Sequence, residues 1–289
     1  MIAALRRLLL AAVFVGGGTA LAAEPLHDDR GVAWRGAPPQ RIVSLLPSLT
    51  ETVCALGACE RLVGVDRYSD WPVQVNALPR LGGLDDASVE RVVALRPDVV
   101  LAARSARVAD RFEALGLKVL VFDSDSHADV RRSLDAIARL IGEPQRSAQV
   151  WAAIQRDEAA AVARVPARLR GKTVYFEVES APYAAGATSF IGETLTRLGM
   201  ANVVPPELGP FPRLNPEYLV RRSPDVVMAV EREAAQMPAR PGWTSMRALK
   251  TGQVCAFSPE RYLLLIRPGP RMGEAALALA DCLAALPTR

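Results

Sequence analysis

Apolar and polar positions follow two rhythms along this chain. Short apolar runs bounded by turn residues, at 41–46, 61–65, 98–102, 118–122, 172–178, 225–230 and 254–257, read as buried strands. Between them, 88–95, 108–115 and 129–141 read as helices, and 270–286 is a final amphipathic helix. Another helix starts at Pro47-Ser48-Leu49-Thr50-Glu51, with Ser48 as N-cap, Glu51 three residues on and Gly57 at its end. This alternation argues for parallel sheets covered by helices. One stretch breaks it. After Pro144, residues 147–165 run without Gly or Pro, rich in Ala and charge, too long for a crossover loop. They predict a single helix of about 20 residues and about 30 Å.

The two sides of that helix repeat each other. Glu51-Thr52-x-x-x-Leu56-Gly57 returns as Glu193-Thr194-x-x-x-Leu198-Gly199, and Glu90 with Pro97-Asp98-Val99-Val100 returns as Glu217 with Pro224-Asp225-Val226-Val227. The spacing from Glu to Pro is seven in both, and the two pairs keep their order. Any two α/β units share helix ends and Pro-Asp turns, but matched pairs in register point to duplication. The expected fold is α/β, two Rossmann-like lobes joined by one long backbone helix. The N-terminal lobe is expected at 40–143, the linking helix at 144–166 and the C-terminal lobe at 171–289, with a cleft between the lobes.

Composition adds a destination. Arg6 and Arg7, the apolar run 8–15 and Ala20-Leu21-Ala22 make residues 1–22 a cleavable signal peptide. The apolar run is too short for a membrane span, and no Cys follows it to carry a lipid. Without Arg6 and Arg7 the formal charge falls from +4 to +2, with signs interspersed, so no nucleic-acid partner is suggested. Half of the residues are apolar, enough for substantial cores. In an exported chain the four cysteines favour disulfides. Cys54 and Cys59 flank Gly57, Cys255 lies on an expected strand and Cys282 on the last helix. Cys54–Cys59 with Cys255–Cys282 is the favoured pairing, against four free thiols buried as small hydrophobes.

Little catalytic chemistry is legible. The two histidines, His27 and His127, lack metal-ligand spacing, so no metal site is expected, and His127 reads as a loop or cap residue. Gly171-Lys172-Thr173 resembles the end of a phosphate loop, but Pro166 stands where its first glycine belongs and Lys172 begins a strand. What remains is aromatic and polar residues in expected strand-end loops, where open α/β sheets place ligands. These are Tyr68-Ser69-Asp70-Trp71-Pro72, Pro182-Tyr183, Phe211-Pro212, Arg261-Tyr262 and Arg267-Pro268-Gly269-Pro270. Aromatic rings there suit a large rigid ligand, although Trp71 and Phe211 could equally pack against their own lobes. Glu90 and Glu217 sit at equivalent helix starts. They are either favourable dipole charges or a matched pair of anionic knobs, one per lobe.

The segments 41–51, 62–72 and 89–100, with Val63-Gly64-Val65-Asp66-Arg67-Tyr68-Ser69-Asp70-Trp71-Pro72 at their centre, resemble the cobalamin and iron-siderophore periplasmic binding proteins. The resemblance covers roughly residues 40–287, and around Tyr68 it is most like the cobalamin-binding branch. It implies a non-enzymatic, monomeric periplasmic protein that holds no cofactor of its own. Its ligand would be cobalamin or a related corrinoid, delivered to the permease dimer of an ABC importer and its ATPase. The alternatives are a ferric siderophore, haem, or a chelatase-like enzyme on a similar fold. It implies ligand contacts by Tyr68, Tyr183, Phe211, Arg261 and Tyr262, and docking on permease arginines by Glu90 and Glu217. Two features depart from that branch. Leu84 and Ala103 stand where cleft tryptophans can occur, and no Cys lies near Leu198 to pair with the last helix, leaving Cys255 for Cys282.

Overall fold

Each half of the chain builds its own parallel sheet. A computed structural model describes residues 26–104, 108–180 and 182–288; the expected signal peptide at 1–22 lies outside them. In the first sheet the strands lie in the order Leu62–Val65, Ile42–Ser44, Val99–Ala102, Val119–Val121. In the second, Ala201–Asn202, Thr173–Glu179, Val226–Val230 and Val254–Phe257 repeat that order, and the short strand Tyr183–Ala184 folds back antiparallel on Thr173–Glu179.

The continuous apolar runs are strands covered on both faces. Successive side chains point to opposite sides, so Ile42, Val99, Leu101 and Leu120 feed one core while Val43, Val100, Ala102 and Val121 feed another. The second lobe divides Val174, Phe176, Val226 and Met228 from Tyr175, Val227 and Ala229 in the same way. The helix Pro144–Arg164 links the halves, and its Val150 and Trp151 pack against the inner core of each.

The repeat motifs have duplicated jobs. Gly57 and Gly199 both take left-handed backbone (φ 83° and 85°) just after the helices Pro47–Ala55 and Phe190–Arg197, a turn that costs glycine least. Asp98 Oδ2 accepts from the amides of Gln40 and Arg41, and Asp225 Oδ2 from that of Thr173, so each Pro-Asp turn anchors the first strand of its lobe. The structure pairs Cys54 with Cys59 and Cys255 with Cys282.

Two local expectations need correction. Ser48 is not the N-cap of its helix: Leu46 is, Pro47 occupies the first turn, and the Ser48 hydroxyl is buried without a partner. A proline has no amide to satisfy and a preset φ, which moves the start forward. The linking helix, expected at 144–166, begins at its proline in the same way, at Pro144. Arg261 and Tyr262 are not in a loop but on the helix Pro259–Leu265, capped by the Ser258 hydroxyl.

Candidate functional site

The carboxyl ends of the strands in both lobes face a shared cavity of about 970 Å³. On the first-lobe side, Leu46, Ala103 and Phe122 lie just beyond three neighbouring strands, and Tyr68 and Leu84 come from the loops beside them. On the second-lobe side, Val178 lies near the end of the strand Thr173–Glu179, Phe190 opens the first helix, and Phe211, Leu263 and Ile266 complete the wall. The lining is mainly apolar, as in sites for large organic ligands. Phe211 is half-buried and packs on Phe190 with ring centroids 6.0 Å apart. Tyr68 is 60% exposed, free to offer a whole ring face.

The Tyr68 loop is held by a buried polar chain. The Asp66 carboxylate accepts from the Tyr68 amide at 2.7 Å and from the Ser69 hydroxyl. Ser69 Oγ lies 2.8 Å from Thr50 Oγ1, which donates to Ser44 Oγ. Burial pushes the Asp66 carboxyl up, against the pull of these hydrogen bonds. The chain thus links the end of the first strand, the first helix and the ligand loop.

Charge enters the wall from both lobes. Arg104 is paired with Asp123 (2.7 Å), and Asp125 stands beside them. Burial, then repulsion from Asp123 and Asp129, pushes the Asp125 carboxyl up. Arg267 comes from the second lobe and is engaged by Glu51 (3.1 Å) and Asp70 (2.6 Å) of the first. Both arginines on the wall therefore already face carboxylates.

Of the expected contact residues, Tyr68 and Phe211 line the cavity and three do not. Tyr183 sits on the hairpin strand opposite Glu179, outside the lining. Arg261 borders a separate depression with Glu231, Ser258 and Asp281. Tyr262 is buried, stacked on Phe176 (5.9 Å), with its hydroxyl donating to the carbonyls of Glu177 and Val178 at 2.8 Å. It supports the wall from behind. The signal for this was present: Ser258-Pro259-Glu260 reads as an N-cap, a first-turn proline and a first-turn acid, which puts Arg261 and Tyr262 on a helix. Leu84 and Ala103 both line the cavity. Phe190 and Asp125 were missed, because contacts across a duplicated fold leave no local pattern; Arg267, read as a loop residue before the last helix but not as a ligand contact, also lines the cavity. Trp71 is half-exposed and lies under Arg271, 4.4 Å from ring centroid to guanidinium. Glu90 and Glu217 are exposed in the first turns of Val89–Ala94 and Pro216–Arg222, which occupy equivalent places between the second and third strands of their lobes. The backbone and the Ser88 hydroxyl hold the Glu90 carboxyl below its usual range.

His127 is neither loop nor surface cap. It opens the helix His127–Leu140, is buried, and its Nε2 lies 2.8 Å from the Thr194 hydroxyl of the other lobe. Arg197 approaches its Nδ1, and Glu158 of the linking helix is 3.3 Å from the same nitrogen.

The family model described as periplasmic binding protein matches residues 42–260. The chain belongs to this family. Among curated relatives, the ABC transporter substrate-binding lipoprotein YvrC of Bacillus subtilis is 29% identical over 254 residues, covering 84% of this chain and 79% of the relative. The vitamin B12-binding protein of Yersinia pestis is 26% identical, covering 86% of this chain and 88% of the relative. Among solved structures, a periplasmic heme-binding protein from Pseudomonas aeruginosa superposes with a TM-score of 0.73 at 25% identity, covering 86% of this chain and 94% of the other. The two-lobed α/β architecture is thus that of a periplasmic binding protein of the ABC-importer type. Among the described residues no helix is long and apolar enough to cross a membrane.

Proposed function

We propose that this periplasmic binding protein captures cobalamin or a related corrinoid and passes it to an ABC permease dimer, without chemical turnover. The observation that carries this reading is the charge on the cavity wall. Asp123 and Asp125 line the cavity, and its two arginines are already paired, Arg104 with Asp123 on the wall and Arg267 with Glu51 and Asp70, which lie outside the lining. Corrinoid side chains end in neutral amides, whose N–H groups suit such acceptors. A dianionic porphyrin would place its propionates against them, where like charges repel. The volume of about 970 Å³ and the rings of Tyr68, Phe190 and Phe211 suit a ligand of corrinoid size.

Export through a cleaved leader at 1–22 would put the protein in the periplasm. Glu90 and Glu217, exposed at equivalent places on the lobes, would meet a matched pair of basic sites on a two-fold permease. Titration calorimetry of the purified chain with cyanocobalamin, cobinamide and haemin tests the ligand. Submicromolar corrinoid binding with weak haemin binding is the expected result; the reverse order would sink the reading.

One observation favours a second reading. Tyr68 projects a phenol into the cavity, and a phenolate can serve as an axial haem ligand. A haem Soret shift that Tyr68→Phe removes would establish it.

A further inference from the structure

We infer that Arg267 is a positioning residue: reaching across from the second lobe, it holds the Tyr68-Ser69-Asp70 loop of the first and thereby sets the width of the cleft before ligand arrives. This rests on the proposed reading that the cavity takes the ligand and that Tyr68 touches it.

The guanidinium is spread over three acceptors of the other lobe. Nη1 donates to Glu51 Oε1 at 3.1 Å and to Asp70 Oδ1 at 2.6 Å, and Nη2 to the Tyr68 carbonyl at 3.0 Å. Arg267 is 9% exposed and Glu51 3%. Only a planar fork reaches three separated acceptors at once; a lysine ammonium concentrates its donors at one point. The other side of the loop is fixed from within the first lobe, through Asp66, Ser69 and Thr50. The position of the Tyr68 ring therefore depends on both lobes. Arg271 extends the clamp, lying 3.8 Å from Glu51 and over the Trp71 ring.

The sequence repeat gives this clamp a counterpart. Glu193, the equivalent of Glu51, also reaches the other lobe, where its Oε2 accepts from the His127 amide at 2.9 Å. Beside it the Phe190 amide donates to the Asp125 carbonyl at 2.6 Å, so the Asp125 segment of the wall is tied across as well. In both halves the first-helix glutamate of the repeated Glu-Thr motif binds the lobe opposite. The cleft is therefore bridged at two places, and the Arg267 bridge is the one that carries Tyr68.

The test compares Glu51→Gln/Arg267→Met, which removes both buried charges and strands neither, with Asp70→Asn at the more exposed arm and Arg267→Lys as the conservative change. Hydrogen exchange on ligand-free protein is read at 67–71 and at the sheet amides. The double variant is expected to exchange about tenfold faster at 67–71 with the sheets unchanged, Asp70→Asn to change in the same direction by less, and Arg267→Lys to fall between wild type and the double variant. Cyanocobalamin dissociation is expected to rise about tenfold with association held within about twofold. Unchanged protection at 67–71 in the double variant, or acceleration spread equally over both sheets, would overturn the inference. If wild type binds no cyanocobalamin, the ligand assignment fails by itself, and exchange without ligand still decides the role of Arg267.

Discussion

Arg240→Met should destabilise the second lobe strongly, and the size of the loss follows from what it strands. Glu177, on the central strand of that lobe, is 1% exposed. Arg240 grips it with two bonds of 2.6 and 2.8 Å, reaches Glu233 at 3.1 Å, and lies 4.5 Å from the Trp243 ring centroid. The Tyr175 hydroxyl donates to the same carboxylate at 2.8 Å, which cannot replace a countercharge. Removing one partner of a buried ion pair costs about 3–5 kcal/mol, because the other charge stays out of water, and losing the ring contact adds about 1 kcal/mol. At about 2–4 °C per kcal/mol, the melting temperature should fall by about 8–24 °C. In Glu177→Gln/Arg240→Met the buried countercharge is also gone, and Glu233 keeps Arg232 at 2.8 Å; the loss should shrink to about 1–2 kcal/mol. Differential scanning calorimetry of the four proteins closes the cycle. A single variant melting within about 2 °C of wild type, or a double variant worse than the single, would refute the assignment of Glu177 as a buried, charge-compensated carboxylate.

Glu158 provides a pH test. Burial, then the nearby Glu193, pushes its carboxyl from the ordinary 4.5 up to about 7. Between those values the folded chain keeps a proton that the unfolded chain releases, so this group makes stability fall as pH rises through the window. Arg197, 3.4 Å away, offsets part of it, leaving about 1–2 kcal/mol. Glu158→Gln should flatten the melting temperature between pH 5 and pH 8, and an unchanged slope would count against the shift. Glu90→Ala and Glu217→Ala should leave corrinoid affinity within about twofold while cellular uptake falls about tenfold, more in the double variant and at high salt; undiminished uptake in the double variant would place docking elsewhere. Leu84→Trp adds a ring to the cavity wall and should tighten cyanocobalamin about five- to tenfold by calorimetry, whereas weaker or equal binding would mean that position 84 does not face the ligand.

The two lobes could be read from sequence because their cause is local. A strand covered on both faces must be a continuous apolar run, as at 98–102 and 225–230. The Pro-Asp turns before them recur because each aspartate must anchor the first strand of its own lobe. The long helix announced itself by the absence of Gly and Pro over 147–165. Part of the candidate site was legible for a similar reason, since Tyr68 and Phe211 are aromatic residues in strand-end loops. The rest depended on tertiary geometry. Tyr262 has the composition of a cleft residue, yet its hydroxyl finds two carbonyls inside the lobe and its ring finds Phe176. Arg267 lies 216 positions from Glu51, and no spacing rule connects them. The helix start at Ser258-Pro259 was available and would have removed Arg261 and Tyr262 from the loops, whereas nothing local marks His127 as a residue that faces the second lobe.

The chemistry between the lobes suits a protein that must hold a ligand and then let it go. Each lobe builds its cores almost entirely from its own residues: Val130 of the first lobe joins the inner core of the second, and Val150 and Trp151 of the linking helix pack against the inner core of both. Much of the remaining contact is polar: Arg267 with Glu51 and Asp70, His127 with Glu193 and Thr194. An apolar seam would have to expose its whole area on parting. These bonds exchange for water and re-form, which makes relative motion of the lobes the natural expectation. Rigidity comes instead from the 21-residue helix, which both lobes grip and which opposes wide hinging. On the proposed reading, docking through Glu90 and Glu217 pulls on the two lobes at equivalent points, so a two-fold permease can spread the cleft by breaking a few ion pairs rather than a core. Release should then depend on the clamp. A variant with Glu51→Gln/Arg267→Met should lose ligand spontaneously and gain little from the permease, whereas wild type should hold its ligand until it docks. Measuring ligand release with and without permease in both proteins separates the cases, and equal acceleration by the permease in both would mean that opening is resisted somewhere other than at Arg267.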